Sequence, residues 1–149
     1  MTQNSANASE KTPVALPVPE PDEISAPFWS ACSEHRLVIQ RCDECGRHRH
    51  FPRPACPRCG SLEHTWEEQR GTATLYSWIV AHSPTLPAFT DRLPMAVVLV
   101  ELDGTDGPIR LVGGLHDAEV SELKVGMPMQ IVWDDVTDGV ALASWTPMV

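Results

Sequence analysis

The chain has 149 residues, enough for one domain or two small ones, with 20 acidic against 11 basic residues and a net charge of −9. It holds no run of about 18 apolar residues, so no membrane span is expected. Met1 to Glu20 lacks a charged segment followed by an apolar one, which argues against a secretory signal and for a cytoplasmic location with reduced thiols.

Residues 1–24 are rich in Ser, Ala, Asn and Pro and read as a disordered or extended leader. Residues 25–35 read as a short helix, with Ser25 as N-cap and Pro27 in the first turn. Phe28, Trp29, Ala31 and Cys32 give it an apolar face that the ribbon, a partner or a ligand must cover.

Residues 36–70 read as a ribbon. Arg36 to Arg41 is a strand entering Cys42-Asp43-Glu44-Cys45-Gly46, Arg47 to Phe51 is a second strand, and Pro52 and Pro54 turn the chain toward Cys56-Pro57-Arg58-Cys59-Gly60. Each C-x-x-C-G knuckle sets two thiolates on one side of a tight turn, and its Gly can take a positive φ. Two facing knuckles supply the four sulfurs of a tetrahedral site, so Cys42, Cys45, Cys56 and Cys59 are read as ligands of a structural zinc ion. Iron in a rubredoxin-like site is the lesser alternative, as are two disulfides or four free thiols. A closed shell of four thiolates leaves no open position for catalysis. Cys32 stands outside both knuckles and reads as a small hydrophobe.

Residues 71–149 change character. Strands are expected at Gly71–His82, Pro94–Leu102, Ile109–Leu115, Met127–Trp133 and Gly139–Trp145, with one helical turn near Ser121–Leu123. Five such strands, the first of them long, indicate a closed barrel of the OB type, with an open sandwich as competitor. The fold class is therefore mainly β: a short helix, a four-cysteine ribbon and a five-stranded OB-fold barrel.

Several ordered features coincide: Phe28-Trp29, Leu37 to Cys42, both knuckles, Gly71 to Trp78, His82-Ser83-Pro84, Pro87-Ala88-Phe89, Pro94 to Leu102, and Leu123 to Pro128. In this order they resemble the zinc-ribbon, OB-fold accessory proteins that accompany thiolase-like enzymes, a family long carried as a domain of unknown function. The resemblance covers about residues 25–147, and the Glu34-His35 pair before Arg36-Leu37 stands at the helix end where the family typically has a Gly. It implies a non-catalytic subunit that binds a thiolase, an acyltransferase or a steroid side-chain aldolase and helps hold its acyl-CoA substrate. The hetero-oligomer would then be the enzyme.

No nucleophile elbow, zincin motif or phosphate-cradling Gly loop is present, which agrees with chemistry supplied by a partner. Asp134-Asp135 reads as a solvated loop. Arg47, Arg49 and Arg53, with Arg41 and Arg58, read as a solvated face or as a docking surface for an acidic patch or the phosphates of CoA. Tyr76 and Trp78, two apart on one strand, are expected to share a sheet face. At least one of them reads by default as core; the sharper reading joins them with Phe89 in an apolar edge for a pantetheine arm or a partner. His82 reads as a hydrogen-bonding group for a thioester or a partner or as the cap of a strand end. Phe28 and Trp29 join this set of candidate contacts. The alternative function is a single-stranded nucleic-acid-binding OB and ribbon module. Charge opposes it, because residues 71–149 carry three basic against ten acidic side chains and a nucleic-acid groove needs a positive track.

Overall fold

In the computed structural model, residues 14–148 are described, so the first 13 residues of the expected leader lie outside the described part. Residues 14–22 carry no helix or strand. Helix α1 spans Ala26–Ser33. Ser25 does not cap it: its hydroxyl donates to the Asp22 carboxylate, and its own backbone is already helical. Pro27, with its fixed φ, starts the helix instead.

The end of α1 explains His35. Its φ is +59°, the left-handed conformation that Gly takes without strain. The His35 amide donates to the Cys32 carbonyl and the Arg36 amide to the Ala31 carbonyl, both at 2.9 Å, which makes a Schellman stop with His35 at its turning point. The imidazole offsets the strain by stacking on Trp133, with centroids 5.8 Å apart, and by pairing with Asp135 at 2.8 Å. The pair is half exposed and contributes little. His35→Gly should therefore leave stability within about 1 kcal/mol, while His35→Val should cost about 2 kcal/mol, since a β-branched side chain tolerates the left-handed backbone less well than His and the stack is gone. Denaturant unfolding of both variants measures the difference.

Strands β1 (Leu37–Cys42), β2 (His48–Arg49) and β3 (His64–Gln69) form one antiparallel sheet in the order β2-β1-β3. The second ribbon strand is thus two residues long and not Arg47 to Phe51, with Pro52 and Pro54, which lack amides for a ladder, close behind it.

The second sheet holds β4 (Thr72–Ala81), β5 (Met95–Leu102), β6 (Arg110–Gly114), β7 (Pro128–Thr137) and β8 (Val140–Pro147), in the order β6-β5-β4-β7-β8. Its two edges meet at a parallel bridge between Leu115 and Trp145 and not along a paired ladder among the described residues, so the sheet is OB-like and not a continuously bonded barrel. Gly113 permits that approach: a Cβ there would lie 2.5 Å from the Ala143 carbonyl oxygen. A 3-10 helix at Val120–Glu122 matches the expected turn of helix.

Two sequence expectations change. A bulge at Tyr76, between Leu75 and Ser77, reverses the alternation of β4. Tyr76 and Ser77 are both exposed, while Trp78 turns inward against the core, so Tyr76 and Trp78 do not share a face. Strand β7 also runs further than expected. Asp134 and Asp135 pair with Leu142 and Ala141 inside the sheet, and the reversal comes at Asp138-Gly139, where Gly139 has φ +75°.

One apolar core joins both parts. Leu37 and Ile39 of β1 and Phe28 and Cys32 of α1 pack in the same cluster as Leu75, Val98, Val100, Met129 and Trp145 of the barrel. Helix α1 is covered by β1 and also by β8, the last barrel strand.

Candidate metal centre and the arginine-lined seam

The two knuckles repeat one local geometry. The Gly46 amide donates to the Cys42 carbonyl and the Gly60 amide to the Cys56 carbonyl, each at 2.9 Å, and both glycines are left-handed, at φ +72° and +78°. Pairing of β1 with β3 brings the knuckles together. The Sγ atoms of Cys42 and Cys59 lie 3.6 Å apart, as do those of Cys45 and Cys56, and all four sulfurs lie within 4.8 Å of one another. A disulfide needs about 2.05 Å. A tetrahedron with Zn–S bonds of about 2.3 Å has sulfur–sulfur edges near 3.8 Å, so the donor set fits a tetrahedral thiolate-bound metal.

The electrostatics point the same way. Amides of Cys45 and Glu44 hold the Cys42 thiol below its usual range, and amides of Cys59 and Arg58 bring Cys56 down to about 6. The Ser61 amide favours a Cys59 thiolate too, but desolvation and the neighbouring sulfurs push that thiol up to about 12. Four adjacent thiolates cannot all ionise without a cation between them. Cys32 lies apart, buried in the core, and desolvation raises its thiol to about 11, as befits an inert side chain.

Beside the knuckles, Arg47, Arg49 and Arg53 line one small cleft together with His50 and Pro108, on the seam between the ribbon and the β5–β6 connection. Arg49 departs from the expected solvated face: it is 3% exposed. Its Nε donates to Gln40 Oε1 at 2.9 Å, and the same oxygen accepts the Arg53 amide at 2.8 Å. Both terminal nitrogens of Arg49 are buried without a hydrogen-bond partner. Gln40, itself buried, was missed in the sequence, where the only signal is an amide side chain inside the apolar run Leu-Val-Ile-Gln. His50 is driven down to about 4 by burial and stays neutral at pH 7. Arg41 and Arg58 do lie exposed, facing Glu67 and Asp106.

The other candidate contacts are dispersed. Phe28 is 5% exposed and spent on the core, which leaves no free face for a ligand. Trp29 stacks edge-on to it and lines a separate cleft with Pro21, Gly139 and Val140. Tyr76 lies on the barrel exterior with the Arg110 guanidinium 3.8 Å above its ring. His82 is exposed just past β4. Phe89 sits in the 3-10 helix Pro87–Arg92 and lines an open cleft of about 580 Å³ with Met95, Leu115, His116 and Trp133. In that cleft the Asp134 carboxylate accepts from Ser144 and faces His116 at 2.9 Å. A carboxylate between a serine and a histidine is not a nucleophile–base relay, because the two outer groups do not meet. Among the described residues no helix is long and apolar enough to cross a membrane.

Comparison with known proteins agrees with this architecture. Residues 29–65 match the family model "ChsH2, rubredoxin-like zinc ribbon domain", and residues 66–134 match "ChsH2, C-terminal OB-fold domain". The chain is 40% identical over 142 residues to a probable enoyl-CoA hydratase alpha subunit of Thermomonospora curvata, which covers 95% of this chain and 43% of that protein. It is 33% identical over 135 residues to the 3-oxo-4,17-pregnadiene-20-carboxyl-CoA hydratase alpha subunit of Mycobacterium tuberculosis, covering 91% and 41%. The chain thus spans about two fifths of the length of these curated relatives. A chain of the solved Ltp2-ChsH2(DUF35) aldolase superposes with a TM-score of 0.79 at 38% identity, over 88% of this chain and 99% of that one.

Proposed function

The chain belongs to the DUF35 family, in its ChsH2 form of a rubredoxin-like zinc ribbon followed by an OB-fold domain, and on that premise we propose that it is a non-catalytic accessory subunit of a thiolase-family enzyme. The partner is a thiolase, an acyltransferase or a steroid side-chain aldolase, and it supplies the nucleophile and bases for chemistry beside an acyl-CoA thioester. The observation that carries this reading is the match to nearly all of one chain of an aldolase whose name joins two components. The two hydratase alpha subunits, named for CoA substrates and for one part of a complex, support the same class of partner and ligand. Zinc in the four-cysteine site holds the ribbon and takes no part in the reaction. It closes a shell of four thiolates, with no position left for substrate.

Three surfaces fit the role. Ile79, Val97, Leu99 and Val112 share the exterior face of β4, β5 and β6 through the pairs Ile79–Val97 and Leu99–Val112, and Ile79 and Val112 are 65% and 59% exposed. Apolar side chains so exposed on a sheet face are a place for a protein partner. The arginine-lined seam and the cleft beside Phe89 are the places for substrate, with Tyr76 and His82, exposed on and just past β4, beside the partner contact.

Capture from extract of the source cells, with the zinc-loaded chain as bait, tests the reading. A thiolase-family protein should be recovered, and the double variant Ile79→Glu, Val112→Glu should recover at least about tenfold less, as two buried unpaired charges would demand. Recovery of nucleic acid in its place would sink the proposal.

A further inference from the structure

The two terminal nitrogens of Arg49 are spent on nothing described above. A guanidinium does not give up its proton, so a buried one carries its charge wherever it is placed. Leaving such a charge without an acceptor is among the costliest arrangements in a protein interior. The surrounding structure nonetheless holds it in place, through Gln40 on its Nε and through the β1–β2 pairing of Gln40 with Arg49.

We propose that the seam between ribbon and barrel, built on Arg49 with Arg47 and Arg53, is a binding site for a single tetrahedral oxyanion of the phosphate class.

The cleft measures about 140 Å³. That is room enough for one phosphate group. None of its lining residues is acidic. Two carboxylates of the neighbouring segments are paired elsewhere: Glu67 with His48 and Arg41, Asp106 with Arg58. His48 accepts the Asp106 amide through Nδ1 at 2.8 Å, so it donates nothing into the cleft. Arg49 borders this cleft, and a guanidinium fork carries two parallel donors, the geometry that oxyanions accept bidentately. Arg47 reaches the same space across the barrel turn, where a Cβ on Gly107 would come within 3.2 Å of its Cζ. An anion held here touches ribbon and barrel at once and ties the two together. A carboxylate would satisfy the fork alone, but three arginines lining one small space suit the higher charge of a phosphate.

The anion comes from one of two sources, inorganic phosphate or the phosphate ester of a CoA derivative. The second rests on the accessory-subunit reading; the first does not. The test uses the zinc-loaded full chain without partner. Inorganic phosphate, titrated at constant ionic strength against chloride, is followed by thermal shift and by phosphorus NMR line width, with sulfate as competitor. Saturable stabilisation is expected, and Arg49→Gln should weaken it by at least about tenfold, the loss of one charge-assisted contact. Where Arg49→Gln fails to fold, the double variant Arg47→Gln, Arg53→Gln replaces the outer two guanidiniums and should weaken phosphate by a similar factor. Comparing CoA with dephospho-CoA then assigns the source: tighter CoA binding that dephospho-CoA loses points to the ester, and equal binding of both, weaker than phosphate, points to the free ion. No saturable effect of phosphate beyond chloride, or unchanged binding in the folded arginine variants, would overturn the proposal. The capture experiment reads the accessory role separately, so either reading can fail without the other.

Discussion

Cys45→Ser should cost the chain its zinc and its fold in the same step. A structural zinc contributes about 10–16 kcal/mol of apparent binding free energy at neutral pH, while a domain of this size has about 5–15 kcal/mol of net stability. A hydroxyl is a far poorer zinc ligand than a thiolate, and the remaining three sulfurs keep their mutual repulsion. Failure will not stay in the ribbon. Leu37 and Ile39 of β1 and Phe28 of α1 belong to the same core as Leu75 and Trp145. Metal analysis should show zinc falling from about one per chain toward none. Cooperative unfolding should vanish and the chain should aggregate. Cys32→Ser is the control: it alters a buried thiol outside the site and should keep its zinc. A Cys45→Ser protein that lacks zinc yet unfolds as the wild type does would show that the metal is not structural.

Gly71→Ala is expected to be the most damaging exchange of a single hydrogen for a methyl group. Gly71 is buried at φ +73°, and a Cβ there would stand 2.2 Å from Ile131 Cγ2. Ile131 is branched at Cβ and pinned, because its amide donates to the Gly71 carbonyl at 2.8 Å. The left-handed backbone costs an alanine about 1–2 kcal/mol, and forcing the overlap costs about 1–3 kcal/mol more. The sum of about 2–5 kcal/mol corresponds to a fall in Tm on the order of 10 °C for a chain of this length. Gly104→Ala separates the two contributions. Gly104 has φ +77° with nothing within 4 Å of its would-be Cβ, so that variant bears the backbone cost alone. Equal melting temperatures for the two variants would refute the packing argument.

What could be read in the residues depends on how local the signal is. The metal site was legible because two C-x-x-C-G turns fix their own geometry and need only to face one another. The barrel strands were legible because β-branched runs end at Gly-containing turns. Tyr76 was not legible: a bulge is decided by the pairing of β4 with β5, and Tyr, Ser and Trp all tolerate either face. The length of β7 was hidden by Asp134 and Asp135, which look like loop residues until Leu142 and Ala141 are set opposite them. Phe28 plainly needed cover, but its partner strand β8 lies more than a hundred residues away. Arg49 was the least legible. Nothing in a run of surface-type arginines marks the one that folding buries, and only Gln40, its neighbour across the ribbon, hints at it.

Turnover measures directly whether a partner performs the chemistry. The zinc-loaded chain, the captured partner, and the two mixed are each given acyl-CoA, and formation or cleavage of the carbon–carbon bond beside the thioester is followed. The mixture should turn over substrate, the chain alone should not, and the partner alone should fall well short of the mixture. Turnover by the chain alone, or a partner fully active without it, would contradict the accessory role.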